Sequence, residues 1–183
     1  MYINRIVLTG GPGTGKTSIL LKLQELGHAC FEEISREIIK EELAKGSGIL
    51  PWENLDAFSE KVINGRVEHF NAAKPGKSFY DRSIIDTIAY LHLDSAPVPP
   101  VWDKLAKDLR YYTKIFITPP WREIFITDSE RKETFQQLLD VHQIMMDSYK
   151  EYGYELIEIP KMSIEERTEF VLEKVRNDNT LNG

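Results

Sequence analysis

The sequence is poor in cysteine and lacks any long run of apolar residues. It has one cysteine, Cys30, among 183 residues, so no disulfide can form within the chain. Cys30 falls in a predicted strand and is interpreted as a small buried residue, which is consistent with a reducing cytoplasm. No segment reaches the roughly 20 apolar residues that a transmembrane helix requires, and the N-terminus lacks a signal-peptide pattern. We therefore expect a cytoplasmic protein with no membrane span.

Basic residues are outnumbered by acidic ones. The chain contains 23 lysine and arginine residues against 29 aspartate and glutamate residues, which gives a formal net charge of −6. Proteins that bind nucleic acid usually present a basic stripe or patch, so we expect no nucleic-acid partner, and a nucleic-acid-processing ATPase is disfavoured. The four histidines have no spacing typical of metal ligands. The length is suited to one well-buried domain.

What the sequence does contain is a glycine-rich segment between an apolar strand and a helix. Residues 10–17, Gly-Gly-Pro-Gly-Thr-Gly-Lys-Thr, match the pattern G-x-x-x-x-G-K-[ST] of phosphate-binding loops. The glycines let backbone N–H groups turn inward, where they and the helix N-terminus can bind anionic oxygens. A glycine-rich turn that binds nothing is the alternative, which the agreement of strand, spacing and helix disfavours. The residues expected to bind the nucleotide here are Gly11, Pro12, Gly13, Thr14, Gly15, Lys16, Thr17 and Ser18.

Strands and long helices alternate along the rest of the chain. Pro51 is predicted to open a helix that runs to about Ala73, and another long helix is predicted from about Glu130 to Tyr152. The alternation implies parallel strands with right-handed crossovers, and so a three-layer α/β/α sandwich. We expect one domain over residues 1–176 and a flexible tail at 177–183. Binding residues should lie where the parallel strands end.

Carboxylates and arginines follow the second and third predicted strands. Asp81 ends strand three, where it is expected to hold Mg²⁺ together with Thr17, while Lys16 reaches the β- and γ-phosphates. Arg82 is expected to lie over the phosphates or over an anionic acceptor. The alternative for Asp81 is a cap on the helix that starts near Ile84.

Two glutamates follow strand two. Glu32 or Glu33, but not both, is expected to orient an acceptor hydroxyl and take its proton. The alternative is that they are first-turn acidic residues favoured by the helix dipole. Arg36, one turn on, and Arg66, on the long helix, are candidate ligands of the acceptor.

A segment rich in cations lies between strand four and the long helix that follows it. Arg122, Arg131 and Lys132 are candidates for a lid at about residues 119–133 that closes over the transferring phosphate. The alternative is a solvated helix start in which residues 130–133 pair locally. The candidate catalytic residues are therefore Lys16, Glu32, Glu33, Asp81, Arg82, Arg122 and Arg131.

The phosphate-loop segment together with Phe79-Tyr80-Asp81-Arg82-Ser83 resembles the nucleoside and nucleotide kinase branch of P-loop proteins. That branch includes thymidylate kinase, the deoxynucleoside kinases and the nicotinamide-riboside kinase domain, and residues 31–39 resemble the second-strand exit of the last of these. Over nearly the whole chain the sequence resembles a family of bacterial AAA-type predicted ATPases. The segments that carry this resemblance are residues 50–52, 81–86, 119–131 and 159–167.

The resemblance implies a P-loop fold with a five-stranded parallel sheet in the order 2-3-1-4-5. It implies ATP and Mg²⁺ as cofactors, a lid over the nucleotide, and a base-binding region near Pro160 with Arg167 beside it. It does not imply a particular acceptor. The deoxynucleoside kinases have Glu-Arg-Ser where this chain has Asp81-Arg82-Ser83, so the carboxylate here is shorter by one methylene.

Two classes of function are compatible with these motifs. The first is a small-molecule kinase, nucleoside- or nucleotide-like in its acceptor, which should turn over ATP only when that acceptor is present. The second is a nucleotide-dependent switch with weak ATPase or GTPase activity, which should bind nucleotide tightly and hydrolyse it slowly. Thr118-Pro119-Pro120-Trp121 stands where a GTPase would carry Asn-Lys-x-Asp. The oligomeric state stays open, with a homodimer among the alternatives.

Overall fold

The computed structural model describes residues 3–125 and 134–178. Within these ranges the chain forms five strands and seven α-helices. The strands are β1 (Ile3–Thr9), β2 (Ala29–Phe31), β3 (Gly76–Asp81), β4 (Lys114–Ile117) and β5 (Glu155–Glu158). The helices are α1 (Lys16–Glu25), α2 (Ile34–Lys45), α3 (Leu55–Ala72), α4 (Ile84–Leu93), α5 (Pro100–Asp108), α6 (Phe135–Glu151) and α7 (Ile164–Arg176), with a 3₁₀ turn at Arg122–Ile124.

The five strands form one parallel sheet in the order β2-β3-β1-β4-β5. Leu8 of β1 lies opposite Asp81 of β3 on one side and Phe116 of β4 on the other. The loops that follow these three strands therefore meet at one edge of the sheet. The predicted fold class and strand order are confirmed.

The centre of the sheet is buried on both faces, which explains the apolar run Ile6-Val7-Leu8 in β1. Ile6 and Leu8 face a cluster that includes Ile19, Leu20 and Leu23 of α1 and Val171 of α7. Val7 points to the opposite face, where the cluster is built from α4, α6 and the end of α3. Because both faces of a central parallel strand are covered by helices, the middle of the strand is apolar on both sides.

A third apolar cluster lies apart from these two. It joins α2 to α3 through Ile34, Phe58 and Val62. Ile38, Ile39 and Ile49 pack against its edge and are only partly buried. The segment that carries the candidate acceptor residues is thus held by a smaller core than the rest of the domain.

Two predicted helix starts are wrong, and side-chain caps explain both. α3 begins at Leu55 because the side chain of Asn54 accepts a hydrogen bond from Ala57 N at 3.1 Å. Pro51 lies in the preceding turn. α6 begins at Phe135, after a capping box formed by Thr134 with Gln137 at 3.2 and 2.7 Å.

Parts of two predicted segments lie outside the described residues. Residues 119–125 of the proposed lid are described, whereas 126–133, which include Arg131 and Lys132, are not. Of the predicted tail at 177–183, Asp178 is buried and its carboxylate lies 2.5 Å from Lys114 Nζ, whereas residues 179–183 lie outside. None of the helices in the described ranges is long and apolar enough to cross a membrane.

Candidate functional site

The glycine-rich loop connects β1 to α1, and its backbone shape depends on glycine. Gly10 has a φ of +132°, and a Cβ there would lie 2.2 Å from Thr118 Oγ1 and 2.7 Å from Thr118 O. Gly15 caps α1 with a φ of +89°. Left-handed backbone and close approach both exclude larger residues at these two positions, and a loop of this kind can present its backbone N–H groups to an anion.

The side chains of two threonines, Thr14 and Thr118, fix the loop through hydrogen bonds. Thr14 Oγ1 donates to Gly11 O at 2.8 Å and lies 2.6 Å from Thr118 Oγ1. Thr118, directly after β4, also donates to Thr9 O at 3.0 Å. No role in the loop was predicted for Thr118, because a contact between residues so distant in the chain depends on the pairing of β1 with β4.

Lys16 is buried and held by its own loop. Its Nζ donates to Gly11 O at 2.8 Å. Burial lowers the pKa of Lys16 from its ordinary value of 10.5 to about 7, and the positive charge of Arg82 adds to this effect. The group is therefore poised between its neutral and charged forms, and a negatively charged ligand in the loop would favour the charged form.

Thr17 and Asp81 bring two oxygen ligands together at the carboxyl edge of the sheet. Thr17 Oγ1 donates to Asp81 Oδ2 at 3.0 Å. Asp81 Oδ1 is buried and has no hydrogen-bond partner among the described residues. Burial raises the pKa of Asp81 above its ordinary range, against the opposing charge of Lys16. A hydroxyl beside an unsatisfied carboxylate oxygen fits the preference of Mg²⁺ for hard oxygen ligands.

The alternative role of Asp81 as a helix cap is wrong. α4 is capped by Ser83, whose Oγ accepts from Ile85 N at 3.1 Å. Asp86 closes the capping box by accepting from Ser83 N at 2.7 Å. Asp81 is thus free of a capping role and keeps one carboxylate oxygen for a ligand.

A buried charge network lies beside this pair. Glu33 forms ion pairs with Arg82 and, at 3.3 Å, with Arg66. It also caps α2 by accepting from Ser35 N at 3.2 Å. Despite burial, the charges of Arg82 and then Arg66 lower the pKa of Glu33. Arg82 has a φ of +78°, an uncommon conformation for a residue with a side chain.

Asp86 is the centre of this network and is fully buried. Its carboxylate accepts from Thr9 Oγ1 at 2.5 Å and from the Tyr149 hydroxyl at 2.5 Å, and it lies 3.3 Å from Arg82 Nη1. Neither Asp86 nor Tyr149 was assigned a role from the sequence. The one signal available there was the spacing Ser83-x-x-Asp86, which is typical of a capping box.

A small cavity borders the network where it meets β2 and α3. Aromatic rings form one wall, where Phe31 stacks on Tyr80 with centroids 4.6 Å apart. The cavity measures about 10 Å³ in this conformation, which is room for about one water molecule. Its lining residues are Phe31, Glu32, Ile34, Arg66, His69, Tyr80, Asp81, Arg82 and Tyr111. Glu32 is thus brought to the cavity, whereas Arg36 lies exposed on α2 and does not line it.

The other side of the phosphate loop is covered by α7. Arg167 Nη1 donates to Thr14 O at 3.2 Å, and its guanidinium carbon lies 5.5 Å from the centre of the Trp121 ring. Arg122 is exposed and stacks on Phe135 at 4.1 Å. Pro160 follows β5 closely and is partly buried. Arg167 therefore contacts the loop itself, whereas Arg122 does not reach it.

The sequence matches the family model of an AAA domain over residues 5–167. The fold is similar to a deoxyadenosine kinase from M. mycoides, with 13% identity, a TM-score of 0.67 and coverage of 95% of this chain and 100% of that chain. It is similar to NadR in complex with NR, with 19% identity, a TM-score of 0.71 and coverage of 96% of this chain and 50% of that chain. For thymidylate kinase from Ehrlichia chaffeensis the identity is 20%, the TM-score is 0.63 and the coverage is 94% and 98%.

These likenesses establish the fold and nothing finer. The chain spans about half the length of the NadR protein. No match is found among curated proteins. At such identities the structural neighbours show a P-loop kinase-like fold, and the choice of substrate depends on the site itself.

Proposed function

The chain belongs to this AAA domain family, and from the geometry of its site we propose that it is a kinase. It would transfer the γ-phosphate of ATP to a hydroxyl of a small molecule that carries no phosphate group. The observation that supports this most directly is the cavity beside the phosphate loop, because Asp81 and Arg82 line it while Asp81 also contacts Thr17. The cavity has room for about one water molecule in this conformation, so it must widen to admit an acceptor.

The charge balance of the cavity favours an acceptor without a phosphate. Arg66 and Arg82 are both buried, and each has a carboxylate partner in Glu33 or Asp86. A phosphorylated acceptor would need a cation that is not already neutralised, because its charge must be compensated when it leaves water. Arg36, which is exposed on α2 and does not line the cavity, stays a predicted acceptor ligand.

The proposed reaction uses residues from three loops. Lys16 would bind the β- and γ-phosphates, and the Mg²⁺ held by Thr17 and Asp81 would neutralise charge on the phosphate oxygens. The acceptor oxygen forms a bond to the γ-phosphorus, the bond from that phosphorus to the β–γ bridging oxygen breaks, and ADP leaves. We propose that Glu32, which lines the cavity, is the general base that takes the proton of the acceptor hydroxyl. Glu33, whose carboxylate is held by two arginines, is assigned as a positioning residue.

Contacts to the nucleotide base are proposed on the α7 side. Arg167 and Trp121 form a surface next to Thr14, and Pro160 lies just past the end of β5. The lid role of Arg122 and Arg131 stays a prediction, as do the cytoplasmic location and the absence of a nucleic-acid partner.

The test is phosphorus NMR of the purified protein with Mg-ATP and pools of nucleosides, nicotinamide riboside and sugars, each compared with its monophosphate. We expect a new phosphomonoester signal with a pool that lacks phosphate groups, and no such signal with Lys16→Ala. A signal only with the monophosphates would contradict the proposed acceptor class. Stable ATP in every pool, despite measurable binding, would favour the nucleotide-dependent switch.

The same assay distinguishes the two glutamates. Glu32→Gln is expected to lower kcat about 100-fold, the lower end of what a general base contributes, without affecting stability, because Glu32 is exposed. Glu33→Gln is expected to raise the KM of the acceptor and to destabilise the protein, because it removes one of the two carboxylates that pair with the buried Arg66 and Arg82. The reverse pattern would assign the proton transfer to Glu33.

Nucleotide binding is also expected to take up a proton. At pH 8 a lysine with a pKa of about 7 is about nine-tenths neutral, and the phosphates of the nucleotide favour its charged form. Uptake should approach one proton per nucleotide at pH 8 and vanish below about pH 6, where Lys16 is already charged. Calorimetry in two buffers of different ionisation enthalpy measures this. Lys16→Arg, which keeps the charge at every pH, should abolish the uptake, and equal uptake in both proteins would rule out Lys16 as its source.

A further inference from the structure

A second cavity lies at the opposite edge of the sheet from the phosphate loop. It is formed where β1 begins and where the chain enters β4, and it is lined by residues 3–5 and 110–113. Its volume is about 290 Å³, close to the lower limit of about 300 Å³ for small-molecule pockets. None of the residues placed in the kinase reaction lines it.

Two arginines line this cavity, and each is fixed in place. Arg5 Nε donates to Phe70 O at 2.9 Å, and its guanidinium carbon lies 3.8 Å from the centre of the Phe70 ring. Arg110 Nη1 donates to Tyr152 O at 2.8 Å and stacks on Tyr154 at 4.0 Å. Each guanidinium thus keeps further N–H groups for a ligand, and little side-chain entropy remains to be lost on binding.

The arginines of this cavity differ from those of the kinase site in their partners. Arg66 and Arg82 are paired with carboxylates. Within residues 3–125 and 134–178, neither Arg5 nor Arg110 forms an ion pair, and no aspartate or glutamate lines the cavity. Two unpaired cations in one cavity are notable in a chain whose net charge is −6, because they create a local attraction for anions.

An unsatisfied amide provides an independent observation. Asn4 lines the same cavity, and its side-chain Nδ2 is buried without a hydrogen-bond partner in the described part of the chain. Leaving a buried donor unpaired costs free energy, so such a group commonly marks a missing acceptor. The missing acceptor and the two unpaired cations call for the same kind of ligand.

We propose that this cavity binds a small organic anion through a phosphate or carboxylate group. The arginine forks match the geometry of such oxyanions, the unsatisfied Asn4 amide belongs to a lining residue, and Tyr111 and Tyr112 also line the space for the organic part. The proposal concerns a different site from the kinase reaction and does not depend on that function.

The two cavities share one wall. Tyr111 lines both of them. The centre of its ring lies 5.2 Å from the ring centre of Phe70, on which Arg5 stacks, and 5.6 Å from the ring centre of Tyr80. Tyr80 in turn stacks on Phe31 in the kinase-site cavity. An anion held by Arg5 would therefore be connected to the acceptor side through packed aromatic rings.

The test is calorimetric titration of the full chain with inorganic phosphate and, separately, with succinate. Lys16→Ala is introduced into every protein compared, so that the phosphate loop contributes less to binding. We expect one anion per chain, and binding weakened about tenfold or more by Arg110→Ala, because hydrogen bonds to charged groups contribute strongly. Arg110 is exposed, so its loss should not unfold the protein. Arg176→Ala, which removes an exposed arginine paired with Glu169, is the matched control.

Some outcomes identify the class of anion that the cavity binds, and others overturn the proposal. Arg110-dependent binding of phosphate alone would assign a phosphate group, and Arg110-dependent binding of succinate would assign a carboxylate. The proposal is overturned if neither anion binds, or if binding is unchanged by both Arg110→Ala and Arg5→Lys. It is also overturned if Arg176→Ala weakens binding as much as Arg110→Ala does.

Discussion

Asp86→Asn is expected to lower the free energy of unfolding by about 3–5 kcal/mol, the cost of removing one partner from a buried ion pair. The carboxylate is fully buried and lies 3.3 Å from Arg82 Nη1 and 3.9 Å from Arg66 Nη1. An asparagine of the same size fills the space but removes one of the two carboxylate charges that compensate Arg66 and Arg82. The hydroxyls of Thr9 and Tyr149, which donate to Asp86, would also lose a charged acceptor.

The measurement is urea unfolding followed by circular dichroism, with Asp140→Asn as the control. Asp140 also lies on a helix and accepts a hydrogen bond from Gln136 at 3.1 Å, but it is exposed. Its replacement should change the free energy of unfolding by about 0.5 kcal/mol or less. A similar small change for Asp86→Asn would show that the network does not stabilise the fold.

Lys16→Ala is expected to lower the rate of phosphoryl transfer by about 100- to 1000-fold, the usual effect of removing one preorganised donor from a charged transition state. Stability should not fall with it. Burial has lowered the pKa of Lys16 to about 7, so in the empty site the charged form is disfavoured rather than stabilising. The variant should therefore unfold at the same urea concentration as the original protein or at a higher one.

The rate is measured as acceptor-dependent ATP consumption, and Lys22→Ala serves as the control. Lys22 lies on the same helix, is partly exposed and pairs with Glu25. Asp81→Asn is a useful companion, because it should raise the Mg²⁺ concentration needed for half-maximal rate while leaving the loop intact. Full activity of Lys16→Ala would mean that the glycine-rich loop is not the site of transfer.

Features determined over a short stretch of chain were the ones that the sequence predicted well. The phosphate loop is local: its glycines, Lys16 and Thr17 lie in one short segment between a strand and a helix. The meeting of Thr17 with Asp81 depends on strand order as well. It could be predicted because parallel strands end at a common edge, and the structure places the two oxygens 3.0 Å apart.

The contacts that were missed depend on how helices pack. Asp86 meets Tyr149 because α4 lies against α6, and no local pattern fixes which residues of two helices face each other. Consecutive residues point in different directions, so the sequence predicts that at most one of Glu32 and Glu33 is catalytic, but it does not decide which one. Both helix starts were predicted too early in the chain, because the sequence pattern does not show that the side chains of Asn54 and Thr134 cap α3 and α6.

The separate apolar cluster that joins α2 to α3 has a consequence for local unfolding of the protein. A helix whose apolar contact with its neighbour is a cluster of only three buried residues can open as its own cooperative unit at a free energy well below that of global unfolding. Because Ile34 belongs to both this cluster and the lining of the cavity, such an opening would enlarge the cavity without disturbing the sheet. The affinity for the acceptor and the hydrogen-exchange protection of α2 would then both depend on this opening equilibrium. A substitution that weakens the packing of Phe58 would shift the equilibrium and thereby change the affinity for the acceptor, although Phe58 does not line the cavity.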